Sequence, residues 1–131
     1  PAFEDAAAGG ADTDLSNLSA TGLERACQAW CNFTGYGTVG VTDSGGLSGV
    51  SSITDNGTGD YTVTFTSAMA NANYSVAATA ARRVSTESSV RYVGTNGYSS
   101  GFATGSIRLI VAYSSTNLAD TNPICCNVFG A

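Results

Sequence analysis

The sequence predicts an all-β protein: an antiparallel β-sandwich, jelly-roll-like, behind an extended N-terminal arm. Three observations carry this. Val50 to Phe65 alternates apolar and polar residues on both sides of Asn56-Gly57, a strong hairpin signal. Short apolar runs recur with Gly, Asn, Asp or Pro in the gaps between them, the punctuation of a sandwich. Large apolar side chains are sparse among 131 residues, with 16 glycines, so the core is thin and copies gain by packing together.

Residues 1–22 form the arm and residues 23–131 the sandwich domain. Pro1 to Asp14 is Ala, Gly and Asp with little to bury. Leu15 and Leu18 follow, three apart, enough to dock the arm on a neighbour but not to fold it alone. Leu23 to Cys31 fits a helical stripe with Thr21 as cap, and also a strand with Cys27, Ala29, Cys31 and Phe33 on one face. The aromatic-rich run ending in Gly35 and Gly37 favours a strand from about Cys27, an edge turning into a hairpin, with room for a short helix before it.

Further strands are expected near Thr38 to Thr42, Val50 to Asp55, Tyr61 to Thr66 and Tyr74 to Ala80. Others follow near Ser89 to Gly94, Ser100 to Thr104, Ser106 to Tyr113 and Ile124 to Phe129. Turns fall at Thr42 to Gly46, Asn56-Gly57, Asn71 to Asn73, Asn96-Gly97 and Asn122-Pro123. Ile107 to Val111 is the most apolar run and is expected at the centre of a sheet.

The net charge of −5 opposes a phosphate backbone and an anionic membrane surface. No run is apolar and long enough to span a bilayer. The start at Pro1 lacks the pattern of an export signal, so synthesis in a cytoplasm without export by the usual route is expected. Histidine and lysine are both absent, which excludes Ser-His-Asp, Cys-His and Ser-Lys nucleophile sites. Asp55 and Asp60 flank the hairpin turn and would be the carboxylate pair of a glycan-cleaving enzyme. The plainer reading makes both of them turn residues capping loop amides. The same stretch has some residues of a calcium loop but lacks its distal Glu and the remaining ligand spacing. No cofactor or metal is expected.

The cysteines are Cys27, Cys31, Cys125 and Cys126. If extended, residues 27 and 31 stand about 13 Å apart, too far for a mutual disulfide. Cys125 and Cys126 face opposite sides of a strand. A bridge would therefore join one cysteine of each pair, with Cys126 the core-facing candidate, and would add about 4–5 kcal/mol by loop closure. Reduced, buried thiols are the alternative. Zinc is disfavoured by the spacing and by the lack of histidine.

Arg82 and Arg83 could meet an acidic partner or sugar acid, or pair locally with acids such as Glu87. The loop from Thr95 to Phe102 has the Tyr, Ser, Gly and Asn make-up of adaptable recognition surfaces, with Asn96 and Tyr98 in it. Tyr98 could stack on a sugar ring.

Ala26-Cys27, Ala29-Trp30, Asn32-Phe33 and Gly35-x-Gly37-Thr38-Val39 together resemble a known family. So do Val50 to Phe65, and Ala68-Met69 with Asn71-Ala72 and Tyr74. They look like the carboxy-terminal domain of tail-fibre and related virion proteins of tailed bacteriophages. Asp14 to Gly22 is similar to a connector that precedes such domains. The resemblance covers about half the chain and is most specific at the hairpin. It implies a β-rich, trimeric virion component with no catalytic residues to carry over. Cys31 and the doubled Cys125-Cys126 depart from the pattern, and no long fibre shaft is present.

The expected function is a short tail fibre or fibre tip, a homotrimer located in the virion. The arm would meet other virion proteins and the domain a host-surface glycan. A capsid decoration protein is the alternative, and a glycan-cleaving enzyme a third reading.

Overall fold

A computed structural model describes residues 26–82, 89–96 and 101–130. These form eight strands: β1 (Cys27–Thr34), β2 (Gly40–Gly45), β3 (Val50–Gly57), β4 (Asp60–Phe65), β5 (Ser75–Ala80), β6 (Tyr92–Thr95), β7 (Ser106–Ala112) and β8 (Ile124–Phe129). Sheet A has the order β2-β1-β8-β5 and sheet B the order β3-β4-β7-β6. Every pairing is antiparallel. The expected antiparallel β-sandwich is the fold, with hairpins β1-β2, β3-β4 and β6-β7 and with repeated crossings between the sheets.

Period-2 alternation explains the layering. Each of the four central strands sends three alternate residues inward. They are Ala29, Cys31 and Phe33 from β1, Tyr61, Val63 and Phe65 from β4, Ile107, Leu109 and Val111 from β7, and Ile124, Cys126 and Val128 from β8, all buried. Burying each of the larger aliphatic and aromatic ones stabilises by about 1.5–3 kcal/mol. Phe33 from sheet A meets Tyr61 from sheet B edge-on, with centroids 5.4 Å apart. Phe65 and Tyr74 do the same at 5.8 Å. The edge strands β2, β3, β5 and β6 are mostly exposed or half-buried.

Several expectations change. The first strand begins at Cys27 as expected and makes a hairpin with β2, but it is not an edge. Three buried residues on one face need cover from both sides, and β8 supplies the second neighbour. The β3-β4 hairpin turns at Thr58 and Gly59 rather than at Asn56-Gly57. Gly57 still pairs with Asp60, Gly59 takes the left-handed φ of +64°, and a bulge leaves Asn56 as the extra residue. β2 runs through the expected turn as far as Gly45, and the chain reverses at residues 46–49 instead. There Gly46 has a φ of +102° and packs on the Gln28 backbone.

β6 is shorter than expected. Ser100 to Thr104 does not form a strand over its described residues: Phe102 makes one isolated bridge to Ile107. The expectation for Ile107 to Val111 holds, since β7 lies between β4 and β6. The turn at Asn71 is present as well, with its side-chain oxygen accepting the Asn73 N–H at 2.8 Å. The arm of residues 1–22 and the helix considered before Cys27 lie outside the described residues.

Candidate functional site

The outer face of sheet B carries the most ordered set of polar side chains. Alternation that sends Tyr61, Val63 and Phe65 inward sends Asp60, Thr62 and Thr64 outward from β4. The same rule places Ser106, Arg108, Ile110 and Ala112 outward from β7. Register sets Thr62 opposite Arg108 and Asp60 opposite Ile110. Arg108 then reaches diagonally to Asp60 in a two-pronged pair, Nε to Oδ1 at 2.8 Å and Nη2 to Oδ2 at 2.6 Å. The bulge brings Asn56 onto this face, where its amide donates to Thr62 Oγ1 at 2.8 Å and to Asp60 Oδ1 at 3.3 Å. The guanidinium beside Asp60 holds that carboxyl below the usual carboxylate range.

One end of this face is apolar. Tyr92 stands opposite Ala112, Ala112 is bridged to Leu118, and Gly94 stands opposite Ile110. Tyr92 is 59% exposed and Leu118 41% exposed. Nothing would contact a Cβ at Gly94, so the surface beside Ile110 is open. An apolar shelf with an aromatic ring, grading into amides, hydroxyls and a fixed ion pair, is a surface suited to recognition.

Behind it, the two sheets are knotted together by buried polar groups. Tyr61 Oη lies 2.5 Å from the Gly35 carbonyl oxygen and 2.8 Å from Asp120 Oδ1. Asp120 Oδ1 also accepts the Gly59 N–H at 2.8 Å. Thr121 donates its hydroxyl to the Ala81 carbonyl, and its own carbonyl accepts the Gly35 N–H at 3.1 Å. Burial, and then the neighbouring Asp120, push the Tyr61 phenol up, so it stays a neutral donor. On the opposite surface, Trp30 lies across Gly45, where a Cβ would stand 2.6 Å from the indole Nε1.

The sequence-predicted residues distribute as follows. Leu15, Leu18, Arg83, Glu87 and Tyr98 lie outside the described residues. Asn96 follows β6 and donates its backbone N–H to the Arg108 carbonyl at 3.0 Å, beside the polar face. Arg82 is exposed and follows β5, on the other sheet. Asp55 and Asp60 are not brought together. Asp55 stands opposite Tyr61, one residue out of step with Asp60, and therefore on the other face. Its carboxylate caps the Gly57 N–H at 3.0 Å.

Cys31 and Cys126 are direct cross-strand partners, while Cys27 pairs with Phe129 and Cys125 with Asn32. All four cysteines are free thiols in this structure. Arg108, Asn56 and the Tyr61 to Asp120 contact were missed from sequence. Alternation alone could have placed Thr62 and Arg108 on outward faces, but it held no sign that the two strands are neighbours.

No family model, curated protein or solved structure was found to match the chain. What the fold and its surface define is a small antiparallel β-sandwich with one structured polar face.

Proposed function

We propose that this chain is a non-catalytic structural component of a tailed-bacteriophage virion, a short tail fibre or fibre tip acting in host attachment or fibre assembly. The observation that carries the reading joins sequence to geometry. Val50 to Phe65, the stretch most like virion fibre domains, folds into the β3-β4 hairpin, and Asn56, Asp60 and Thr62 from that hairpin build the polar face with Arg108.

The chemistry of the face supports binding rather than turnover. A retaining or inverting glycosidase needs one carboxyl protonated near a second, across the scissile bond. Here Asp60 is held ionised by Arg108, and Asp55 faces the other way. A face of amides, hydroxyls and an aromatic ring is suited to a host-surface glycan. In this reading three copies assemble, and residues 1–22 attach the trimer to other virion proteins through Leu15 and Leu18.

A capsid decoration protein is the second reading. The exposed Tyr92 and Leu118, both beside Ala112, favour it, because a cement protein needs a surface that clamps onto neighbouring subunits. Gold-labelled antibody on intact virions separates the two: label at the tail supports the fibre, label over the head supports decoration, and unlabelled particles overturn both. Light scattering on the purified chain tests the trimer, and a monomer at high concentration counts against it.

A further inference from the structure

The core contains two thiols placed for a reaction that the binding face does not use. Cys31 on β1 and Cys126 on β8 are register partners, and both point into the sandwich, 2% and 1% exposed. Directly opposed residues of an antiparallel pair have Cα atoms about 4.5–5.5 Å apart, inside the span that a disulfide bridges. We propose that Cys31 and Cys126 are an oxidisable pair that closes as a cross-strand disulfide inside the core, clamping the first strand to the last.

The register selects this pair over the others. Cys27 stands opposite Phe129, three residues from Cys126 and about 10 Å along the strand. A bulge between Cys27 and Ala29 sets it opposite a residue on the other face from Cys126, and its Sγ is committed to the Ala29 carbonyl at 3.3 Å. Cys125 stands opposite Asn32 and points away from the core, on the other face from Cys126. Cys31 and Cys126 meet thiol to thiol. Cys126 donates its S–H to the Cys31 sulfur, which lowers Cys31 against the opposing effect of burial. The same contact, reinforced by burial, pushes Cys126 up.

A small-molecule disulfide such as oxidised glutathione supplies the oxidant. The thiolate of either cysteine attacks one glutathione sulfur, forming a mixed disulfide and releasing a glutathione thiolate. The other cysteine then loses its proton and attacks the protein sulfur of the mixed disulfide, releasing the second glutathione. Two S–H bonds are lost and one protein S–S bond forms. The protein gives up two electrons, and one glutathione disulfide becomes two thiols. Because both sulfurs are buried, the exchange takes place while the chain is folding or locally open. The closed bond ties together the strands at the two ends of the described fold. The proposal stands independently of the virion reading.

The test is oxidative refolding of the full chain. Reduced, denatured protein is refolded with reduced and oxidised glutathione, or with dithiothreitol alone, and free thiols are then alkylated under denaturing conditions. The expected product with glutathione is lighter by about 2 Da and has two alkylatable thiols in place of four. Cleavage after arginine leaves peptides 26–82 and 109–131 joined, and fragmentation of the joined pair locates the bond at Cys31 and Cys126. The Cys27→Ser/Cys125→Ser variant keeps the link. Four alkylated cysteines after refolding with oxidised glutathione overturn the proposal, and so does a bond mapped to Cys27 or Cys125.

Discussion

Tyr61 Oη lies 2.5 Å from the carbonyl oxygen of Gly35, so a side chain of sheet B is bonded to the backbone where β1 leaves sheet A. The contact exists because residue 35 is glycine. A Cβ there would stand 2.5 Å from Ile124 Cδ1 and 2.8 Å from both the phenol oxygen and the Thr121 carbonyl. Asp120, on the loop before β8, completes the arrangement from the other side.

Tyr61→Phe keeps the ring packed on Phe33 but withdraws the donor shared by Gly35 and Asp120. Asp120 keeps the Gly59 N–H, but leaving the buried Gly35 carbonyl without this donor costs about 1–3 kcal/mol. Urea denaturation is expected to show a lower midpoint with an unchanged slope, since the surface exposed on unfolding stays the same.

Two glycine substitutions should behave oppositely. Gly59→Ala places a methyl group against the Val111 carbonyl in a residue held at a φ of +64°. It should destabilise by about 1–3 kcal/mol from the clash, with backbone strain added. Gly40→Ala meets nothing within 4 Å and should be neutral or slightly stabilising. Thermal melts of the two variants beside the parent protein check the contrast.

Asp60 and Arg108 should give the protein a pH-dependent contribution. The folded carboxyl titrates below its unfolded counterpart, so the pair stabilises above the ordinary carboxylate range. That contribution is lost as pH falls through the lowered value. Asp60→Asn should be less stable than the parent at neutral pH, and the gap should close in acid. Denaturation midpoints measured across the acid range test this; a gap constant with pH would show that the ion pair contributes nothing.

Leu109 is fully buried between the sheets and sits on β7, which has neighbours on both sides. Leu109→Ala should cost about 2–5 kcal/mol, the range for a core cavity that collapses incompletely. The same truncation at Leu118, 41% exposed, should cost far less. Equilibrium unfolding of both variants measures the difference.

Alternation within single segments made several elements legible from sequence. Tyr61, Val63 and Phe65 announce an inward face, and Ile107, Leu109 and Val111 announce a central strand. Even there, local signals misled at turns. Asn56-Gly57 is a strong turn pair, yet the chain continues to Thr58 and Gly59, because Gly59 fits the tight space against Val111 and takes the left-handed backbone.

By itself, the sequence determined the class of the protein, most of its strands and the inward side of the central ones. Each of those follows from side chains a few residues apart. Only the tertiary structure decided who meets whom. Asp60 and Arg108 are 48 residues apart and pair because β4 and β7 are neighbours. Cys31 faces Cys126 because β1 lies beside β8 in one register and no other. A period of two says which way a side chain points, but it carries no information about which distant strand arrives alongside. That choice is made by packing two twisted sheets around one shared core.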